Sequence, residues 1–128
     1  MSIKALLTKI LNRLKSIAVY CTESGISNGW NYKKYSDGTI EAWSYRRTTL
    51  SHYSNPVTGL FGYSWTNIPT PFTMSGTAYT IEAEWKIGNG FSISGGIGSK
   101  TTSAFQLLGL GTASGSNSVT VSIHIFGS

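Results

Sequence analysis

The chain has 128 residues and a mass of 13.8 kDa, room for one domain or one domain with a short appendage. Hydrophobic residues make up 40% and charged residues only 12%, which excludes compositional disorder, and Ser, Thr and Gly together fill 49 positions, a mix suited to strands and tight turns. One cysteine, Cys21, excludes an internal disulfide and a cysteine-rich zinc site, and no apolar run approaches the roughly 20 residues of a membrane span.

The net charge of +5 is unevenly placed. Residues 1–19 carry Lys4, Lys9, Arg13 and Lys15 and no acid. The remainder sets Lys33, Lys34, Arg46, Arg47, Lys86 and Lys100 against Glu23, Asp37, Glu41, Glu82 and Glu84, so it is nearly neutral. Phosphate binding needs a concentrated basic face, so no nucleic-acid partner is expected. Lys9, Arg13 and Lys15 also interrupt what would be the apolar region of a signal peptide, and the expectation is a protein made in the cytoplasm without a secretory leader.

Residues 1–19 form the first unit. Ile3, Leu7, Ile10, Leu14 and Ile17 are spaced 4, 3, 4, 3, a heptad seam with Leu at a and Ile at d. That choice shifts preference from dimers toward three or four strands, and Leu6 and Leu11 widen the stripe in the same direction. Two and a half heptads are too few to be stable alone. The seam predicts an oligomerising helix. A stripe packed on its own domain and a basic helix lying on an anionic membrane are the alternatives, and the strict alternation of 4 and 3 favours the coiled coil over both.

Residues 20–128 read as β throughout. Residues 17–22 enter an extended segment, and residues 23–29 form a turn-rich connector. Trp30 to Tyr35 alternates, Ser36-Asp37-Gly38 supplies turn chemistry, and Thr39 to Thr49 returns with Ile40, Ala42 and Ser44 on one face and Glu41, Trp43 and Tyr45 on the other. Residues 51–67 form a long aromatic-bearing stretch with no strand assigned. Ile68-Pro-Thr-Pro-Phe72 holds two prolines and must be an edge or a crossover. Tyr79 to Ile87 is a strong alternating strand, Phe91 to Ser94 a short one, residues 95–99 a flexible corner, Ala104 to Leu110 another strand, and Ser118 to Phe126 the last. The result is an all-β chain, an antiparallel β-sandwich of about seven to eight strands behind a short helix.

Specific residues then carry a resemblance. Trp30-Asn-Tyr-Lys-Lys-Tyr-Ser-Asp-Gly-Thr-Ile-Glu-Ala-Trp43 resembles a motif common in the C-terminal tip domains of phage and prophage tail fibres. Ile68-Pro-Thr-Pro-Phe72, Gly90-Phe-Ser-Ile-Ser-Gly95, Thr101-Thr-Ser-Ala-Phe105 and Ile123-His-Ile-Phe-Gly127 are similar to further elements of that family, in matching order. Ala42 stands where the family often has Cys and Ser44 where it often has Gly, so no role of that Cys carries over. The resemblance covers about residues 28–128. It implies a homotrimeric β-sandwich on a coiled-coil or fibrous stalk, located on the virion, that attaches to the host and in some members binds cell-surface glycans.

Catalytic residues are hard to find. Glu82 and Glu84 share a strand face about 7 Å apart, a separation that a glycosidase pair can have, yet such pairs are usually a solvated face. No nucleophile elbow and no metal-ligand spacing is present, so no cofactor, metal site or enzymatic activity is expected. Aromatic residues give a better handle, because sugars stack apolar C–H faces on Trp and Tyr. His52, Tyr53, Tyr63 and Trp65 are the expected exposed cluster and candidate glycan site, and Trp30, Trp43 and Trp85 are read as core or interface. The expectation is a receptor-binding domain that holds a host-surface carbohydrate, with a structural virion module and, less so, a glycan-cleaving enzyme as alternatives.

Overall fold

The computed structural model describes residues 2–128, with the side chains of residues 15–17 outside the description. A helix, α1 (Ile3–Ile17), precedes nine strands: β1 (Cys21–Ser27), β2 (Trp30–Tyr35), β3 (Ile40–Ser51), β4 (Ser54–Val57), β5 (Leu60–Pro69), β6 (Thr80–Ile87), β7 (Ser92–Lys100), β8 (Ala104–Gly111) and β9 (Ser116–Gly127). They form two antiparallel sheets, one in the order β1-β2-β3-β9-β6 and one in the order β4-β5-β8-β7.

The helix starts where Ser2 caps it, its Oγ accepting from the Ala5 backbone N–H at 3.1 Å, and ends where Ala18 turns extended. Among the described residues it packs against no strand. Ile3, Leu6, Leu7, Ile10, Leu11 and Leu14 are all exposed. Among the described residues, the alternative of a stripe folded onto its own domain is therefore not found. Ile17, the last position of the seam, has its side chain outside the described residues.

The core follows from period-2 alternation on both sheets. Trp30, Ile40, Ala42, Trp85, Ile87, Val119, Val121, Ile123 and Ile125 point inward from the five-stranded sheet. Tyr63, Ile68, Phe105 and Leu107 meet them from the other. The sheets approach closely because β8 carries glycine where bulk faces it: a Cβ at Gly109 would lie 2.6–3.0 Å from the Trp85 ring. The buried Trp30 indole donates from Nε1 to the Pro69 carbonyl at 2.7 Å, and the buried Tyr79 hydroxyl donates to the Thr101 carbonyl at 2.7 Å. The proline-bearing segment after β5 crosses from one sheet to the other and is tied down by backbone bonds from Thr70 to Ser103 and from Met74 to Thr102.

Three expectations need correction. Residues 23–27 belong to strand β1, and only Asn28-Gly29 turns, with φ of 50° and 81°, the geometry of a two-residue hairpin. Residues 51–67 are the β4–β5 hairpin, closed at Gly59 with φ of 84°. Residues 95–99 are paired strand, carried past Leu108 by a bulge between Ser94 and Gly96, where Gly95 lets the β8 backbone approach. Nine strands thus replace seven or eight.

Gly109→Val is expected to destabilise the fold by about 1–3 kcal/mol through forced displacement of Trp85. Gly76→Ala, which meets nothing within 4 Å, should stay within about 0.5 kcal/mol in the same urea titration. Equal midpoints for the two variants would contradict this packing.

Candidate functional site

The residues expected to form one exposed aromatic cluster are divided between the two faces of the four-stranded sheet. Phe61, Tyr63 and Trp65 share the inward face of β5. Tyr63 is 0% exposed, its hydroxyl donating to the Ala113 carbonyl at 2.5 Å and accepting from Asn117 Nδ2 at 2.9 Å. Trp65 is half-buried against the core. His52 tilts against Phe61, with ring centroids 4.8 Å apart, and its Nδ1 accepts from the Gly115 N–H at 2.8 Å. Tyr53 alone is well exposed, at 63%, lying over Gly62 on the outer face. The reason for the correction is register: from Phe61 to Trp65 the odd positions of β5 point into the core, before a bulge between Trp65 and Ile68 shifts the alternation, and sequence spacing in an unassigned segment does not reveal this.

A better-formed site lies on the outer face of the five-stranded sheet. There β9 runs between β3 and β6, so Trp43 and Glu82 both stand opposite His124, and Tyr45 and Glu84 both stand opposite Ser122. Their neighbours Ala42, Ser44, Ala83, Ile123 and Ile125 point the other way, so burial of the core fixes which side chains face out. An open depression of about 510 Å³ results, with Trp43, Tyr45, Glu82, Glu84 and His124 in its lining. Trp43 is 39% and Tyr45 71% exposed, whereas Trp30 and Trp85 are core; the reading of Trp43 as core does not hold.

His124 is the centre of a small network. Its ring stacks on Trp43 at 5.4 Å and 24°. Its Nε2 lies 3.0 Å from Glu41 Oε1, and the other oxygen of Glu41 accepts from the Tyr35 hydroxyl at 2.9 Å. Glu82 Oε2 lies 3.7 Å from Nδ1. With Nε2–H donating to Glu41, a neutral ring turns its Nδ1 lone pair toward Glu82; a charged ring donates to both. Partly solvated pairs of this kind contribute at most about 1 kcal/mol each. Glu41 and Glu82 sit against opposite nitrogens, so they do not converge on one ion, and among the described residues no group of three His, Cys, Asp or Glu side chains has metal-holding geometry.

An aromatic face flanked by carboxylates and hydroxyls is able to stack a sugar ring and hold its hydroxyl groups. The sequence showed two parts of this set: Glu41, Trp43 and Tyr45 share a face of one strand, and Glu82 and Glu84 share a face of another. The register through β9 that joins them was missing.

The fold as a whole is similar to a solved structure, an N-truncated R1-type pyocin tail fibre, with a TM-score of 0.55 and 10% sequence identity over 100% of this chain and 98% of that one. At that identity the likeness is one of fold. No protein-family model and no curated protein matches the chain.

Donation to Glu41 holds the Tyr35 hydroxyl above the ordinary phenol value of 10.0, with burial and the carboxylate charge acting in the same direction. A folded value raised in this way stabilises the protein fully below the ordinary value and loses that contribution as pH rises through the folded one. An ultraviolet difference titration of the wild type against Tyr35→Phe should therefore show a phenol ionising later than normal, moved back toward 10.0 by Glu41→Ala. Ionisation at or below the ordinary value would count against the Glu41 contact.

Proposed function

We propose that this chain is the attachment domain of a tail fibre on a phage or phage-tail-like particle, a homotrimer without catalytic activity that holds a host-surface carbohydrate. The observation that carries the reading is the open depression in which Trp43 and Tyr45 stand exposed beside Glu82 and Glu84. The fold shared end to end with a pyocin tail fibre chain supports the same reading.

Two features support self-association. Among the described residues, the exposed Ile and Leu seam of α1 has no cover within its own chain. The second is the outer face of the four-stranded sheet. Its strands carry no charged residue except Lys100, which turns back to donate to the Tyr79 carbonyl at 2.7 Å. Tyr53 lies over Gly62, and Leu110 and Ile93 continue the row across the sheet. An uncharged face that is rich in glycine and apolar side chains, with the polar Ser64 and Gln106 bonded to each other, is suited to burial between copies. The charged face with Trp43 then points outward. Three shallow sites on one trimer gain by avidity what each lacks alone.

Sedimentation equilibrium should give three copies of the 13.8 kDa chain, about 41 kDa, at micromolar concentration. Ile10→Asp with Leu14→Asp should shift that toward the single-chain mass while the β-sheet circular dichroism persists. A single-chain mass for the wild type would remove the trimer.

For attachment, Trp43→Ala with Tyr45→Ala is expected to lower retention on host cells at least tenfold, with the fold intact, because both residues lie outside the core. Unchanged retention would sink the assigned site, and a folded trimer that adheres to no host cell would favour a structural virion module.

A further inference from the structure

Beside the Trp43 depression, along the same three strands, lies a second one of about 390 Å³, lined by Arg47, Lys86, Asn89, Ser118 and Thr120. Tyr45 lines both. On β6, Glu82, Glu84 and Lys86 follow one another on the outer face at about 7 Å intervals set by the strand rise. On β3, Trp43, Tyr45 and Arg47 do the same. The register through β9 places Glu84, Ser122 and Tyr45 in one row and Lys86, Thr120 and Arg47 in the next. The sign of charge therefore reverses between neighbouring rows of one continuous groove.

These charges are not engaged with each other. Among the described residues neither Glu84 nor Lys86 makes an ion pair. Arg47 is oriented by a bond from its Nε to Ser118 Oγ at 3.1 Å, which leaves the rest of the guanidinium fork unspent. Glu41 is already satisfied by Tyr35 and His124, so Glu82 and Glu84 form the negative end. Glu82 and Glu84 favour a cation, which the exposed ring of Tyr45, in one row with Glu84, also attracts. A guanidinium with an ammonium beside it favours phosphate or carboxylate. From Glu82 to Lys86 the groove spans about 13 Å, the length of about two sugar rings.

We propose that this groove takes a zwitterionic saccharide segment, with a sugar amine against Glu82 and Glu84 beside Trp43 and Tyr45 and an anionic group against Arg47 and Lys86. This rests on the carbohydrate reading and names the class of sugar. A neutral segment would stack equally well but would leave both charged ends to water. A segment with one charge would satisfy one end. The opposed ends also give the groove a polarity, so the saccharide binds in one direction.

Four disaccharides test this by nuclear magnetic resonance titration of the full chain at low and high salt: a glucosamine disaccharide carrying one phosphate, its N-acetylated form, its phosphate-free form, and the form lacking both charges. The zwitterionic disaccharide should bind three- to tenfold tighter than either singly charged one, and the advantage should shrink in high salt. Glu82→Gln with Glu84→Gln should abolish the benefit of the amine and keep that of the phosphate. Arg47→Gln with Lys86→Gln should do the reverse. All four are on the outer face, so circular dichroism should be unchanged. Equal binding of the neutral and zwitterionic forms would overturn the inference and leave the carbohydrate reading standing. Loss of both advantages in either double variant would also overturn it, as would failure of all four sugars to bind. In that last case, retention of Trp43→Ala on host cells decides whether the carbohydrate reading falls too.

Discussion

Strand β9 hydrogen-bonds along its length to β3 on one side and β6 on the other, and the rest of the molecule depends on that double pairing. The strand alternates without exception from Val119 to Ile125, apolar inward and polar outward. Because side chains alternate with a period of two, one register decides two things at once. It sends Val119, Val121, Ile123 and Ile125 into the core, and it sets His124 between Trp43 and Glu82 at the surface. A slip of one residue against either neighbour would bury His124 and expose isoleucine. Hydrophobic burial in the core therefore holds the surface constellation in place, and the weak contacts among Glu41, His124 and Glu82 need only tune side-chain orientation.

The two sheets differ in what they show to solvent. The five-stranded sheet carries Glu41, Glu82, Glu84, Lys33, Arg47 and Lys86 on its outer face with Trp43 and Tyr45 among them. The four-stranded sheet shows leucine, isoleucine, glycine and tyrosine, with the uncharged Ser64 and Gln106, bonded to each other, among them. Charged groups resist the desolvation that a tight interface demands, while a flat apolar sheet gains from it. The division separates a face suited to self-association from a face suited to a polar ligand. The exposed seam of α1 is likewise suited to partner copies.

Much of this was legible in the sequence. Alternating runs announced β2, β3, β6 and β9, an apolar run announced β8, and the Asp37-Gly38 turn, with Asp37 Oδ1 accepting from the Thr39 N–H at 3.0 Å, joined β2 to β3 as expected. Strands β1 and β4 and the later part of β7 were hidden because Ser, Asn, Pro and Gly suit both turns and sheet edges, and each of these strands is an edge; β5, an interior strand, was left unassigned with the stretch of residues 51–67. Within the site, Glu41, Trp43 and Tyr45 were known to share a face, as were Glu82 and Glu84. Their meeting at His124 is a long-range register, and no local pattern encodes it. Tyr63 and Trp65 were misplaced for the opposite reason: an unassigned segment has no inward and outward, so abundance of aromatics stood in for exposure.

The division of faces is open to one direct measurement, hydroxyl-radical footprinting of the intact protein followed by mass spectrometry at nanomolar and micromolar concentration. Trp43 and Tyr45 should oxidise at the same fast rate at both concentrations, while Tyr53 should be fast when dilute and protected when concentrated. The reverse pattern, with Trp43 and Tyr45 shielded on concentration and Tyr53 unaffected, would place the charged sheet inside the assembly and contradict the account.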